Sequence, residues 1–491
     1  MQASRVEVNV FHCSAAISAC EKAHKWQLAV GVLQMMSDTR VAADKICCNA
    51  AISACAKGGQ WQLALCLLSQ MPEMNMAPSE VSCNAAISAC ERGGQWQLAL
   101  RILSQMPDLS VMPGTISFSA AISACEKGCQ WQPALALLRQ MPEVNVSYDR
   151  ICYDAAISAC EKGGEWQMAL CLLHQMPEMR LTPNEVSYSS AISACEKVGR
   201  WQLALKLLSN MPDMKATPDK ISYSAAISAC EKGGQWQMAL SLLSSMPDIR
   251  MMPDERSYSA AVSACAKGGE WQVALSLLRS MPDLRVTPTP CYNAAISACE
   301  RAGQWQMALR LLSSMPDVKV IPNEISYNAA ISACEKGGQW ELALGLLSSM
   351  PDMKMIPDTI SYSGVISACE QGGRWQLALS LLSFMPEIRV SPNDISYSAS
   401  ISACSKGHQW NVALSVLDRM PSLNLLASLP CFSSAILACV ACNRWCDALR
   451  LLDEMLRAGV EPDANTFATV LTECEQRGLR STEIGLALQL R

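Results

Sequence analysis

"ISACEKGGQWQMALSLLSSMPD" (residues 227–248) sets a cysteine, a glutamate and a lysine side by side, at Cys230, Glu231 and Lys232, ahead of Gly233-Gly234 and Trp236. Taken alone, that trio could open a catalytic site. It is not alone, because the stretch returns, barely changed, along most of the chain. The thirteen tryptophans stand at 26, 61, 96, 131, 166, 201, 236, 271, 305, 340, 375, 410 and 445. Every step is 35 residues except the 34 from Trp271 to Trp305. The missing residue falls in "TPTPCYN" (287–293), where a loop absorbs a deletion at least cost. The cysteine closing "SAC" keeps the same step from Cys20 to Cys439 and returns in "TEC" as Cys474. A fixed period of this length marks a repeat array, in which a unit buries its apolar face only against its neighbours.

Each unit reads as two helices. In the seventh (220–254), "SYSAAISACEK" offers Ser222 as an N-cap and places Ala226, Ile227 and Cys230 at helical spacing. Gly233-Gly234 is expected to end that helix, since glycine accepts the left-handed conformation of a helix stop. "QWQMALSLLSSM" then sets Trp236, Ala239, Leu240, Leu243 and Met246 along one wide stripe. Pro247 is expected to stop or kink it. The fold class is all-α, a solenoid of helix-turn-helix repeats. Thirteen full units span 10–463, after a short leader at 1–9 and before a partial terminal repeat at 464–491.

Composition fits that reading. Aromatics make up 5% of the 491 residues, charged residues 17% and apolar residues 50%, as suits many small side chains in close helix contacts. The formal net charge of −5 argues against indiscriminate binding to nucleic acid or anionic membrane. The longest apolar run, Ala435 to Cys442, is far too short to span a bilayer. "MQASRVEVNVF" lacks the apolar core of a secretory signal and is too short for a convincing transit peptide. With nine residues before the first unit, the chain is expected to be a fragment of a longer gene product.

Catalytic groups occur once per site, held by a shell of different residues. A Cys-Glu-Lys set copied a dozen times is therefore scaffold before it is chemistry. The repeated cysteine falls on the apolar face, where a free thiol behaves as a small hydrophobe. Stacked repeats about 10 Å apart are too distant for disulfides between equivalent cysteines. Cys439, Cys442 and Cys446, with Cys431 nearby, suggest half a zinc knuckle, but no second pair follows. No phosphate-binding glycine loop or HExxH pattern occurs. Neither a catalytic residue, a metal nor a cofactor is expected. The tryptophan and methionine columns read as inter-repeat packing.

The lysine column is more informative. It runs Lys22, Lys57, Arg92, Lys127, Lys162, Lys197, Lys232, Lys267, Arg301, Lys336, then Gln371 and Lys406. An acid precedes most of these, but adjacent helix positions point about 100° apart. One face could then carry a basic stripe, as a polyanion with regular phosphates would require. The other account is a solvated face on which glutamates balance lysines.

A 35-residue helix pair that opens with Tyr plus a polar residue and ends in Pro-Asp or Pro-Asn resembles the pentatricopeptide repeat. The thirteenth unit, "FSSAILACVACNRWCDALRLLDEMLRAGVEPD" (432–463), comes nearest the family pattern. The resemblance covers 10–491 and implies a right-handed superhelical solenoid. The family's proteins are mostly organellar factors that bind single-stranded RNA, one base per repeat read by two or three side chains. The reading positions are the polar residue after the helix-opening aromatic and the residue closing the repeat. They pair Ser14 with Asp44, Asn49 with Ser79, Asn84 with Gly114, Ser119 with Asp149, and Asp154 with Asn184. Ser189 follows with Asp219, Ser224 with Asp254, Ser259 with Thr289, and Asn293 with Asn323. The last are Asn328 with Asp358, Ser363 with Asn393, Ser398 with Ser428, and Ser433 with Asp463.

By the family's code repeats 1, 4, 6, 7 and 13 read G, repeat 11 A, repeat 10 U and repeat 2 C. The lysine column matches the family's phosphate-contacting position. The resemblance thus implies single-stranded RNA as partner, with protein partners left open. No small-molecule substrate and no membrane are implied, and the setting would be chloroplast or mitochondrion. Departures exist. Cys13, Cys48 and Cys83 replace the aromatic before the reader, and Gly459 alone keeps the family's glycine near the end of the second helix. Elsewhere Met-Pro-Asp/Glu stands there, so the second helix is expected to stop early. The rival class is a protein-interaction scaffold holding a peptide in its groove.

Overall fold

The computed structural model describes residues 9–39, 41–74, 76–247, 250–281, 289–420 and 427–476. Most of the expected leader (1–8), the start of the "TPTPCYN" loop (287–288), the Cys474 side chain and the terminal unit past 476 lie outside the described residues. Twenty-seven α-helices and no strand occur among those residues. None of the helices is long and apolar enough to cross a membrane. The chain forms two compact units, Met1–Pro253 and Asp254–Arg491. Each is a solenoid of helical hairpins. Within a unit, the first helix of every repeat (helix A) packs on the helices A before and after it. The second (helix B) seats against its own helix A and the next one.

Helix A begins earlier than Ser222 would place it. In repeat 7 it runs Lys220–Lys232 with Asp219 as N-cap. Asp219 accepts from the Ser222 amide at 2.8 Å, and its own amide donates to Ser222 Oγ at 2.9 Å. Both residues are capping types, and the pair forms a reciprocal box with Ser222 buried at the third helical position. Ser79 with Ser82, Asn323 with Ser326 and Asp358 with Ser361 repeat the arrangement.

The two hinge glycines have separate jobs. Gly234 carries the left-handed backbone, at φ +68°, while Gly233 sits at an ordinary φ of −81°. A Cβ on Gly233 would lie 2.2 Å from Cδ1 of Trp201, the tryptophan of the preceding repeat. Gly93 meets Trp61, and Gly337 meets Trp305, in the same way. The tryptophan is thus the inter-repeat wedge, and the first glycine is the space it needs.

Helix B spans Trp236–Ser245 in repeat 7, ten residues, with the buried Met246 after it. Where no proline follows the methionine it reaches thirteen, as in Trp26–Asp38 and Trp445–Arg457. Proline does not always end it. Trp166–Glu178 and Trp375–Glu387 carry Pro177 and Pro386 inside the helix. Met246 itself keeps helical dihedrals, so in repeat 7 the short form differs from the long one mainly in how the last turn is hydrogen-bonded. Met281 in repeat 8 instead turns extended, at ψ 124°.

The core is columnar. Ile52, Ile87, Ile122 and Ile157, with Met71, Met106, Met141 and Met176, are fully buried. Such a side chain contributes about 1.5–3 kcal/mol over its exposed state. The repeated cysteine is buried in every full repeat but the first, where Cys20 is half-buried. Burial pushes the Cys230 and Cys334 thiols up to about 11. They are packing residues.

Candidate nucleic-acid interface

The first residue of each expected reading pair lies in helix A, and the second stands at the start of the next helix A. Asp44, Ser79, Asn184, Asp219, Asp254, Asn323, Asp358 and Asn393 are N-caps that accept from the amide three residues on. Asp463 accepts from the Thr466 amide at 2.9 Å. Asp149 and Ser428 are N-caps without such a bond, and Gly114 has no side chain to offer. Thr289 is the first residue of its helix.

Whether a pair meets depends on its first member. Asn49 donates from Nδ2 to Ser79 Oγ at 3.4 Å, Asn293 to Asn323 Oδ1 at 3.1 Å, and Asn328 to Asp358 Oδ1 at 3.3 Å. The buried serine after the cap closes a triangle. Ser82 donates to Asn49 Oδ1 at 2.6 Å, Ser326 to Asn293 at 2.5 Å, and Ser361 to Asn328 at 2.6 Å. Ser117 does the same for Asn84 at 2.6 Å although Gly114 supplies no partner.

Serine readers behave differently, donating back to their own helix. Ser14, Ser119, Ser259, Ser398 and Ser433 bond the carbonyl three residues earlier at 3.0–3.2 Å. Ser189, Ser224 and Ser363 do likewise and are buried. Ser224 and its expected partner Asp254 belong to different units. Asp154 accepts from Ser187 Oγ, and burial pushes its carboxyl up despite that bond and nearby Arg150.

The lysine column is paired across repeats. Each ammonium reaches the glutamate of the preceding repeat: Lys57 to Glu21 at 2.9 Å, Lys127 to Glu91 at 2.8 Å, and Lys162 to Glu126 at 2.9 Å. Lys197 meets Glu161 at 3.2 Å and Lys232 meets Glu196 at 3.4 Å. In the second unit Lys336 meets Glu300 at 2.8 Å and Lys406 meets Glu370 at 3.0 Å. Ser53, Ser158 and Ser228 add hydroxyl bonds to the same carboxylates. Burial raises the Glu21 carboxyl, but Lys57, Ser53 and Lys22 outweigh it and hold it below its ordinary value. A free basic stripe is therefore not what most of these lysines form. Lys22 precedes the first rung, and Ala56 and Ala266 stand where Arg92 and Arg301 would find an acid. Lys267 also has a partner.

Sequence reasoning missed an apolar column three residues before the readers. Phe11, Ile46, Val81, Ile116, Ile151, Val186 and Ile221 are exposed in the first unit, and Ile325, Ile360 and Ile395 in the second, at 53–82%. Their signal was an apolar residue just after the cap, outside the buried stripe. Between Val81 and Ile116 lies a cavity of about 350 Å³ whose wall includes Asn84, Lys57 and Arg92. Of the zinc-like cysteines, Cys439 is buried, Cys442 half-buried and Cys446 exposed. No group of three or more potential metal ligands converges among the described residues.

Family comparisons agree with this architecture. The PPR repeat family matches residues 289–336 and 322–371, and the pentatricopeptide repeat domain 66–127. The PPR repeat matches 46–76, 360–390 and 395–425, and the pentacotripeptide-repeat region of PRORP matches 113–289. The chain belongs to the pentatricopeptide repeat family. Its fold is similar to that of the pentatricopeptide repeat protein PPR10 from maize, at 20% identity over 99% of this chain and 75% of that one, with a TM-score of 0.64. PPR10 in complex with an 18-nt psaJ RNA element matches at 16% identity over 98% and 84%, with a TM-score of 0.56. No curated protein matches the chain by sequence.

Proposed function

We propose that this chain binds single-stranded RNA without catalysing a reaction on it, one base per repeat. The carrying observation is the cavity beside Asn84. Val81 and Ile116 come from successive repeats and face it, so a planar base can slide between two apolar side chains. Asn84 then presents its edge, with Oδ1 held by Ser117 and Nδ2 left to donate. A carboxamide offers a donor and an acceptor to a pyrimidine edge. A serine reader turned back on its own helix leaves room for a purine. Arg92, which has no carboxylate opposite it, is a cation within the same wall for a phosphate. The solved complex of PPR10 with an RNA element supports the partner class.

The family setting makes processing, stability or translation of transcripts in a chloroplast or mitochondrion the role such binding would serve. The target is a strand of about 13 nucleotides, one per repeat, reading GCNGNGGNNUANG with N any base. Filter binding against this oligomer and a scrambled one tests the reading. Selective retention of the first supports it. Equal and negligible retention of both defeats it, and capture of a peptide along the apolar column instead would make the chain a protein scaffold.

A further inference from the structure

A second column of cations stands on the loop that leaves helix B in repeats 5–7 and 9–11, whereas Ser110 and Asn145 hold the same left-handed place in repeats 3 and 4. Arg180, Lys215 and Arg250 occupy it in the first unit, and Lys319, Lys354 and Arg389 in the second. Arg285, at the same place in the repeat, lies outside the described residues. All six are exposed. Unlike the glutamate-paired lysines, none has a carboxylate within ion-pairing distance among the described residues.

Their backbone is unusual. All six are left-handed, with φ of 58–62°, and Gly459 holds the same place in repeat 13 at φ +75°. Glycine would take that conformation without steric cost, whereas a long side chain crowds its own carbonyl. A cation near a helix C-terminus complements the helix dipole, but that does not explain the choice. The same last turns hold Glu178, Asp213, Asp317, Asp352 and Glu387, the wrong sign for the dipole.

Location supplies the third observation. Lys215 lines a cleft of about 350 Å³ together with Arg150, Pro183, Asn184 and Val186. Asn184 is the cap paired with Asp154, and Val186 belongs to the exposed apolar column. Glu185, in the same cleft, is already taken by the Thr217 hydroxyl. The loop cation thus stands on the rim of a base site, at the end of helix A opposite the lysine column. The helix length separates the two columns by roughly 18 Å at 1.5 Å per residue.

We propose that this loop column is a phosphate track for the single strand, an inference that rests on the RNA reading above. Each cation neutralises one phosphate as its base enters the neighbouring site, so the contact is independent of sequence. The strand is gripped along the loop edge, while most of the lysine column holds successive repeats together.

Replacing the six with glycine tests this, because glycine keeps the left-handed turn and removes only the charge. The variant Arg180→Gly, Lys215→Gly, Arg250→Gly, Lys319→Gly, Lys354→Gly, Arg389→Gly should melt no lower than the parent. It should bind the matched and scrambled 13-nucleotide RNAs more weakly by the same factor. The slope of log K against log salt should shrink by up to about 4, since each contact on a single strand contributes about 0.7. A charge-keeping control, Arg180→Lys with Arg250→Lys and Arg389→Lys, should bind as the parent does. Unchanged affinity and slope in the glycine variant overturn the inference and leave the RNA reading standing. A parent that retains neither oligomer overturns both. Unchanged RNA binding with lost binding to polyglutamate reassigns the column to an acidic protein partner and overturns the inference as well.

Discussion

The Trp201 ring fills the space a side chain on Gly233 would need, with Cδ1 2.2 Å from the position of a Cβ there. Gly234 next door has open space but a φ of +68°. Gly233→Ala should therefore destabilise by overpacking, about 1–3 kcal/mol. Gly234→Ala should do so by backbone strain, about 1–2 kcal/mol. In a Trp201→Ala background the first penalty should shrink and the second should not. Urea midpoints of the parent, the three single variants and the two doubles measure the coupling, and equal penalties in both backgrounds would refute the wedge. Val198 already stands opposite Trp166, and Ala302 opposite Trp271, so the ring can yield and the lower end of the range is expected.

Asp219 both caps a helix and completes the pair with Ser189. Asp219→Ala should cost about 1 kcal/mol without any RNA present, from the lost bond to the Ser222 amide. Asp219→Asn preserves that acceptor, so its melting temperature should match the parent. On RNA it should change the preferred base at one position from G to A. Selection from a library randomised at that position checks this, and a shift at several positions would contradict it.

One rung of the charge ladder keeps its acid but lacks its cation. Gln371 stands where a lysine would meet Glu335. Burial pushes the Glu335 carboxyl above its usual range, against the pull of Lys336 and Ser367. A carboxyl raised in the folded state loses stability as pH climbs from the unfolded value, near 4.3, through the folded one. Gln371→Lys should relieve that loss, adding a few tenths to about 1 kcal/mol at pH 7. The gain should vanish below about pH 4, where both states are protonated. Denaturant unfolding at the two pH values is the check, and a gain that persists at the lower pH would discount the ion pair.

Thiol reactivity separates packing from surface. Cys66, Cys129, Cys171 and Cys446 are exposed and should take up iodoacetamide within minutes in the native state. Cys230 and Cys334, buried with thiols pushed up to about 11, should stay unlabelled at pH 8 until the chain unfolds. Peptide mass spectrometry resolves the sites. Labelling of Cys230 as fast as Cys66 would remove the packing assignment.

The period, the two helices per unit and the buried columns of Met, Cys and Ile were legible in the sequence, because local spacing determines them. What escaped depends on stacking. Glu196 and Lys232 lie in different repeats, and nothing within one helix shows that they meet. Gly233 looked like a helix stop because its space requirement belongs to Trp201. Ile221 went unassigned in the sequence and is 57% exposed, since the apolar face of helix A begins beyond it. Ser222 and Asp219 are both good caps, and only the reciprocal bonds decide between them. The readers were placed by resemblance, and the difference between Asn328 and Ser363 appeared only once their hydroxyl and amide directions were visible.

The residue closing each repeat caps the next helix, and this limits what such a chain can be made to say. Most side chains there accept from an amide three positions on, as Asp219 and Asn323 do, so helix capping favours Asp, Asn and Ser at this place, with Thr and Gly at the margin. Hydrophobic and long basic residues there cost about 1 kcal/mol of helix stability before any nucleotide arrives. Retargeting the array would have to draw most of its diversity from the position inside helix A that caps nothing, where Ser224 or Asn328 stands. The repertoire of readable strands is bounded by helix chemistry.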